Sequence, residues 1–181
     1  EVTPLMRSRA KAVNFGIVYG ISDYGLSRDL DISRKEAKEY IDNYLKNYIM
    51  VDKYMKDIVN KGKKDGYVET LLNRRRYIPE LKSRNFNVRS FGERIAMNTP
   101  IQGTAADIIK IAMVKVHREL KNRKLKSRLI LQVHDELIIE TFKDEVEEVK
   151  KVMKDIMENS IKLDIPLKVE ISIGENWYET K

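Results

Sequence analysis

Apolar residues recur at helical spacing through the first two thirds of the chain, and short apolar runs dominate the last third. Thr3 followed by Pro4 is typical of a helix start, because proline at the first helical position loses no hydrogen bond. The pattern therefore predicts a helix from Pro4 to about Tyr19, ended by Gly20.

A second helix is indicated by a capping box. Ser33 and Glu36 have its spacing, and the apolar positions that follow predict a helix that continues to about Ile58. Beyond two glycines, residues 67–72 and 75–78 form a pair of short β-compatible runs. We expect these runs to form a hairpin.

The middle of the chain combines a basic stretch with a third helix. Residues 82–94 are rich in Lys and Arg and are predicted to be irregular, at a junction between subdomains. Pro100 either begins the next helix or kinks a longer one that starts near Phe91. The predicted buried stripe of this helix consists of Ile101, Ala105, Ile108, Ala112 and Val116.

The last third predicts strands around one more helix. Residues 129–133 and 137–140 are apolar runs that flank a polar tip, which favours a hairpin. Residues 146–157 have helical periodicity, and residues 169–173 alternate as a final strand would. Long helices combined with an antiparallel sheet predict an α+β fold.

Composition narrows the choice of chemistry and partner. The 181 residues include no cysteine and two histidines, so a metal site would depend mainly on carboxylates, which favours magnesium. A formal charge of +7 is compatible with a polyanionic partner. The chain has neither an apolar run long enough to cross a bilayer nor a signal peptide at its start, so we expect a cytoplasmic protein without membrane contact.

The first predicted helix carries a stripe of functional residue types. Arg7, Lys11, Phe15 and Tyr19 follow one another at intervals of four residues, so each is rotated by about 40° from the one before. Two cations followed by two aromatic rings suit a nucleotide, because cations bind phosphate and rings stack on bases. Gly16 and Gly20 would leave room for its close approach. Spacing alone leaves open that the rings belong to the core and that the cations are solvated.

The literal string RSRAKAVNFGIVYG resembles motif B of family A DNA polymerases, the bacterial DNA polymerase I type. The resemblance implies that Arg7 and Lys11 bind the triphosphate of an incoming dNTP. It also implies that Phe15 packs against the nucleotide and that Tyr19 lies at the insertion site. In this family a Tyr in place of Phe15 is associated with acceptance of dideoxynucleotides.

The predicted acidic hairpin resembles motif C of the same family, in the string QVHDE. By this resemblance Asp135 binds catalytic Mg²⁺, Glu136 assists, and His134 lies near the primer terminus. Asp135 and Lys11 are the predicted catalytic residues. A lone hairpin with these residues is more often an ordinary polar turn, and it gains weight from its position after motif B.

A third string, ERIAMNTPIQGTAADI, resembles the family's palm helix that follows the DNA minor groove. Arg94, Asn98 and Gln102 are again four residues apart, and long donors on one face can reach minor-groove acceptors without reading sequence. The arginine run at 74–76 could contact DNA phosphates, but a run of charges is more often a solvated surface, so these residues are not assigned to the site.

The family resemblance implies how the chain divides into subdomains and which partners it has. Residues 1–84 would form the fingers subdomain, and residues 85–181 would form the C-terminal half of the palm. The implied partners are primer-template DNA, dNTPs and the rest of the polymerase. That remainder would include the thumb and the motif A segment, which supplies the other aspartate of a two-metal Mg²⁺ site.

The sequence is compatible with three hypotheses for the function. The first is DNA synthesis in bacterial replication and repair, at the nucleoid. The second is a nucleotide- and DNA-binding fragment without catalysis, because the motif A aspartate is absent from these residues. A single-subunit RNA polymerase is a more distant alternative, against which the Phe15–Gly16 pair favours DNA synthesis.

Overall fold

The computed structural model describes residues 2–180 and divides into two compact units, residues 1–103 and residues 104–181. Within the described residues, α-helices are combined with two antiparallel hairpins, and the predicted α+β class is confirmed. None of the described helices has the length and apolar character of a membrane-spanning segment. The predicted division into fingers and palm stays a prediction.

The first helix, α1, spans Pro4–Val18 and agrees with its prediction. Thr3 Oγ1 accepts a hydrogen bond from the Met6 N–H at 3.2 Å, which satisfies one of the free donors of the first turn. Beyond the helix, Gly20 has a φ of +70°, a conformation that glycine adopts without steric cost. The helix therefore begins and ends for the reasons that the sequence indicates.

The structure contains a helix that the sequence analysis missed. Helix α2 spans Asp23–Leu30, and Ser22 Oγ accepts from the Gly25 N–H at 3.1 Å. Because this helix is short and contains a glycine, the spacing of its apolar residues does not reveal it. Helix α3 spans Arg34–Asn47, and its Ser33–Glu36 capping box is confirmed.

The predicted continuation of α3 is a separate helix, α4, which spans Ile49–Asp65. The break occurs at Tyr48, whose φ of −113° and ψ of 62° leave the helical region. Strands β1 (Tyr67–Glu69) and β2 (Arg75–Tyr77) form the predicted hairpin. The buried core of this unit beside the hairpin consists of Val68, Ile78, Leu81 and Ala96.

The long helix α5 spans Phe86–Asn122 and contains Pro100 in its interior. The prediction of an irregular stretch up to residue 94 is therefore wrong from Phe86 onward. The missed signal is Asn85, whose Oδ1 atom accepts from the Asn87 N–H at 2.9 Å and caps the first turn.

In the second unit the core lies between α5, a hairpin and the last helix. It consists of Ile109, Ala112, Val116, Leu120, Leu137, Val149 and Val152. The predicted stripe of α5 is correct at Ala112 and Val116 and wrong at its start, because Ile101 and Ala105 are exposed. Strands β3 (Arg128–Val133) and β4 (Glu136–Glu140) form the predicted hairpin. Helix α6 spans Val146–Glu158, as expected.

The predicted final strand at residues 169–173 is wrong for this chain. Val169 and Ile171 are half-buried while their neighbours are exposed, so the alternation of side chains is present. No strand among the described residues pairs with this segment, and an unpaired segment has no ladder of hydrogen bonds. The Val169 N–H instead donates to Glu158 Oε1 at 3.1 Å.

Candidate functional site

The predicted stripe on α1 forms one continuous exposed surface. Arg7 and Lys11 are exposed, and neither forms an ion pair with a described carboxylate. Lys11 Nζ lies 5.9 Å from the centre of the Phe15 ring, and the Phe15 and Tyr19 rings are stacked with their centres 6.1 Å apart. The rings are thus solvent-accessible, with 47% of Phe15 and 38% of Tyr19 exposed, and they are not core residues.

The glycines beside the stripe have a different use from the one predicted. A Cβ atom added at Gly16 would lie 2.9 Å from Ile21 Cγ2, and one added at Gly20 would lie 2.4 Å from Met97 Cε. The space beside both residues is filled by protein side chains, so the expectation that they make room for a ligand is wrong. The close packing at Gly20 brings α5 against the end of α1.

The predicted DNA-binding face of α5 starts at this contact. The stem of Arg94 packs against Gly20, since a Cβ atom there would lie 3.1 Å from Arg94 Cγ. The Arg94 guanidinium lies 5.8 Å from the centre of the Phe91 ring, and Nη1 donates to Ser90 Oγ at 3.2 Å. These contacts orient an exposed cation next to the aromatic end of the stripe, where Tyr19 lies.

Further along the same helix, Asn98 is partly buried and Gln102 is exposed. The Asn98 Oδ1 atom is buried and accepts no hydrogen bond within the described chain. A buried acceptor without a donor is costly, so a donor from a bound partner would stabilise it. Arg94, Asn98 and Gln102 belong to the first unit, as does the stripe.

The acidic turn lies in the second unit, between β3 and β4. His134 adopts a left-handed conformation with a φ of +50°, and its carbonyl accepts from Gln132 Nε2 at 2.6 Å. The side chains of Asp135 and Glu136 are exposed and have no hydrogen bond or ion pair with other described residues. The turn therefore presents two carboxylates to solvent on a hairpin anchored by the buried Leu137.

These two carboxylates fit part of a magnesium site. Within the described residues, no group of three or more His, Cys, Asp or Glu side chains is arranged to hold a metal ion. Mg²⁺ in phosphate-handling sites is commonly held by one or two protein carboxylates together with water and substrate phosphates. Asp135 and Glu136 provide oxygen ligands of that kind.

Comparison with known proteins gives consistent matches. The model of DNA polymerase family A matches residues 1–179. DNA polymerase I of Bacillus subtilis (strain 168) is 60% identical over all of this chain and 21% of its own length. DNA polymerase I of Bacillus caldotenax is 58% identical over the same share of both chains. This chain thus spans about a fifth of the length of these curated relatives.

One solved structure has nearly the same fold. It is the POL domain of Pol1 from M. smegmatis in complex with DNA primer-template and dNTP. It superposes with a TM-score of 0.96 at 46% sequence identity, over 99% of this chain and 32% of that chain.

Proposed function

Because the chain belongs to DNA polymerase family A, we propose that it is the C-terminal portion of a DNA-directed DNA polymerase that acts in bacterial DNA replication and repair. The reaction is template-directed transfer of a nucleotide from dNTP to a primer 3′-hydroxyl, with release of pyrophosphate. The observation that carries the proposal is the exposed, unbroken run of cations and rings on α1. The protein acts in the cytoplasm, at the nucleoid.

The α1 stripe binds the incoming dNTP. The cations of Arg7 and Lys11, which form no ion pair with a described carboxylate, hold the triphosphate by charge-assisted hydrogen bonds, and the Phe15 ring packs against the nucleotide. Lys11 also stabilises the negative charge that develops on the phosphate during transfer, which makes it a catalytic residue. Tyr19 lies at the other end of the stripe, beside the templating base.

The exposed face of α5 binds the primer-template duplex. Asn98 and Gln102 are donors to minor-groove acceptors, which every base pair presents at similar positions. The guanidinium of Arg94, held by Phe91 and Ser90, contacts the strand next to the insertion site. His134, at the acidic turn, contacts the primer end.

Asp135 is the catalytic carboxylate of this chain, with Glu136 beside it. Together they would hold Mg²⁺, which would supply neutralisation of the phosphate charge and activation of the attacking hydroxyl. The rigid turn keeps Asp135 at the sheet edge without a competing ion pair, so its charge is available to the reaction. The motif A aspartate, from elsewhere in the polymerase, would complete the Mg²⁺ site. The thumb provides the remaining contacts with DNA.

A second candidate function follows from the number of carboxylates. Two-metal transfer requires ligands that bridge ions about 4 Å apart, and the hairpin provides two adjacent carboxylates. As an isolated chain, residues 1–181 then bind nucleotide and DNA without catalysis. Primer extension by the chain alone, compared with extension after addition of a segment that carries the missing aspartate, separates the two functions.

The proposed function predicts a severe defect for Asp135→Ala. In an assembly that contains this chain, the turnover of primer extension should fall by on the order of 10² or more, because a partner of the transition-state charge is lost. DNA affinity should be retained. Asp144→Ala, which removes another exposed aspartate of the same unit, is the matched control. Turnover above about a tenth of wild type in Asp135→Ala would exclude Asp135 as a metal ligand.

A further inference from the structure

Helix α5 is weakened at the place where its DNA-facing residues lie. Pro100 is inside the helix, between Asn98 and Gln102. Proline has no N–H, so it cannot donate to the carbonyl of Ala96 four residues earlier, as a regular helix requires. The backbone that carries these two side chains therefore depends on support from outside the helix.

The turn between β1 and β2 is built to give such support. The Thr70 N–H donates to the Arg74 carbonyl at 3.0 Å, and Thr70 Oγ1 accepts from the N–H groups of Leu72 and Arg74, each at 3.2 Å. Asn73 completes the turn in a left-handed conformation, with a φ of +62°. Thr70 is 6% exposed, so the turn is anchored in the interior.

This turn contacts α5 directly after Gln102. Arg74 Nη2 donates to the Gly103 carbonyl at 3.0 Å. A Cβ atom added at Gly103 would lie 2.6 Å from Thr70 Cγ2, so only glycine permits this approach. On the other side of Pro100, Arg76 Nη1 lies 3.4 Å from Thr99 Oγ1. The hairpin therefore holds the helix on both sides of the proline.

We infer that Arg74 is a positioning residue, which fixes the helical turn that carries Gln102 and so sets how accurately the polymerase tests minor-groove geometry. The inference rests on the proposed function, because it concerns the DNA contact assigned there to Gln102. Arg74 acts here through a contact with protein. Its guanidinium is directed at a protein carbonyl, and the sequence gives no signal that separates it from the neighbouring arginines.

The test compares binding of two primer-templates that differ in one minor-groove atom. Replacing a purine by its 3-deaza analogue removes the N3 acceptor and leaves Watson–Crick pairing in place. The substitution is walked through the base pairs nearest the primer end, with an assembly that contains this chain. Wild type should lose about three- to tenfold in DNA affinity at the position that Gln102 contacts, the size of one neutral hydrogen bond.

Arg74→Gln should reduce this discrimination to less than about twofold, because the Gln102 donor is no longer fixed in place. Arg74→Lys retains one donor for the Gly103 carbonyl and should restore part of the discrimination. Gly103→Ala disturbs the same contact from the helix side and should act like Arg74→Gln. The double variant Arg74→Gln/Gln102→Ala should discriminate between natural and 3-deaza DNA to the same extent as Gln102→Ala alone. This equality is expected for residues that act as one unit.

Arg75→Gln is the matched control. It removes the same charge one residue along the chain, but Arg75 bonds to Glu69 at 3.0 Å and lies over the Tyr67 ring, both residues of β1. It should leave the discrimination unchanged. Thermal unfolding of each variant establishes that the comparison is made between folded proteins.

The outcomes separate this inference from the proposed function. If Gln102→Ala removes the discrimination but both Arg74→Gln and Gly103→Ala retain it, the positioning role is overturned and the proposed function stands. If Arg74→Gln weakens binding to natural and 3-deaza DNA equally, Arg74 is a phosphate contact and the inference is also overturned. If Gln102→Ala itself has no effect, the assigned DNA contact is wrong, and the positioning role falls with it.

Discussion

Phe15 has nearly half of its surface exposed, between a cation and a second ring. A large apolar side chain exposed beside a second ring is available for contact with a ligand. Lys11 Nζ and the Tyr19 ring both lie near this ring and leave 47% of Phe15 exposed. At the scale of single residues, Phe15 is therefore the position at which a small chemical change tests the proposed nucleotide contact most directly.

Phe15→Tyr should make a completed polymerase accept dideoxynucleotides. A phenol oxygen can fill the space and polar role of the missing 3′-hydroxyl, whereas a phenyl ring offers the analogue nothing. The ratio of kcat/KM for a dideoxynucleotide to that for the deoxynucleotide should rise by at least about tenfold, with normal incorporation little changed.

The control for this substitution is Phe142→Tyr. Phe142 has the same 47% exposure as Phe15 and also lies under a lysine, Lys126, at 5.6 Å. It should leave the ratio unchanged. An unchanged ratio in Phe15→Tyr as well would mean that the Phe15 ring does not face the sugar.

The residues of the stripe could be predicted from the sequence, but the residues that pack against the stripe and α5 could not. Arg7, Lys11, Phe15 and Tyr19 follow from a fixed spacing on a capped helix, which local geometry determines. The roles of Gly20 and Arg74 depend on Met97 and Gly103, which are distant in sequence. Such contacts leave no periodic signal, because they follow from how the helices and the hairpin pack.

At the scale of elements, α1 and α3, whose starts carry a two-residue signal, were predictable, whereas α2, the start of α5 and the unpaired segment 169–173 were not. The Ser33–Glu36 box fixed the start of α3, whereas the Asn85 cap of α5 was overlooked within a basic stretch. The segment 169–173 has the alternation of a strand but lacks a partner among the described residues. Alternation reports which side chains are buried, and a strand also requires a neighbour.

Glu145 links two elements of the second unit, because it joins the start of β3 to the start of α6. Its carboxylate accepts from the N–H groups of Lys126 and Ser127, each at 2.9 Å, and from Ser127 Oγ at 2.6 Å. The bond from the Lys126 N–H, followed by that from the Ser127 hydroxyl, lowers the pKa of Glu145. The folded state therefore favours the ionised carboxylate.

Glu145→Gln should lower the melting temperature at neutral pH, because the amide is a weaker acceptor for these donors. A folded pKa below the unfolded value stabilises the protein above the unfolded pKa of about 4.3, and this contribution is lost as pH falls through the folded pKa. The difference in Tm between wild type and variant should therefore shrink in acid. Glu170→Gln, a change at an exposed glutamate that bonds to no other described residue, should show no such pH-dependent difference. A Tm difference that is constant from neutral to acid pH would rule out the carboxylate as the cause.

At the scale of the whole molecule, the proposed chemistry is divided between the two units. The stripe and the α5 face belong to residues 1–103, and the acidic turn belongs to residues 104–181. With a formal charge of +7, the chain attracts any polyanion, so loss of a single cation does not by itself identify the ligand. Nucleotide use and DNA affinity therefore have to be measured separately.

Arg7→Ala and Lys11→Ala should each raise the KM for dNTP by about tenfold or more, the cost of losing a charged hydrogen bond, and Lys11→Ala should also lower kcat. Duplex affinity should stay nearly unchanged, because these cations contact the triphosphate and not the DNA backbone. Arg9→Ala removes an exposed cation from the same helix, two residues from Arg7, and should alter neither quantity. The measurements are steady-state kinetics for dNTP and titration of labelled primer-template at one fixed salt concentration, since salt alone shifts DNA affinity. If both variants lose DNA affinity and keep the KM for dNTP, the stripe binds the DNA backbone and α1 has been assigned to the wrong ligand.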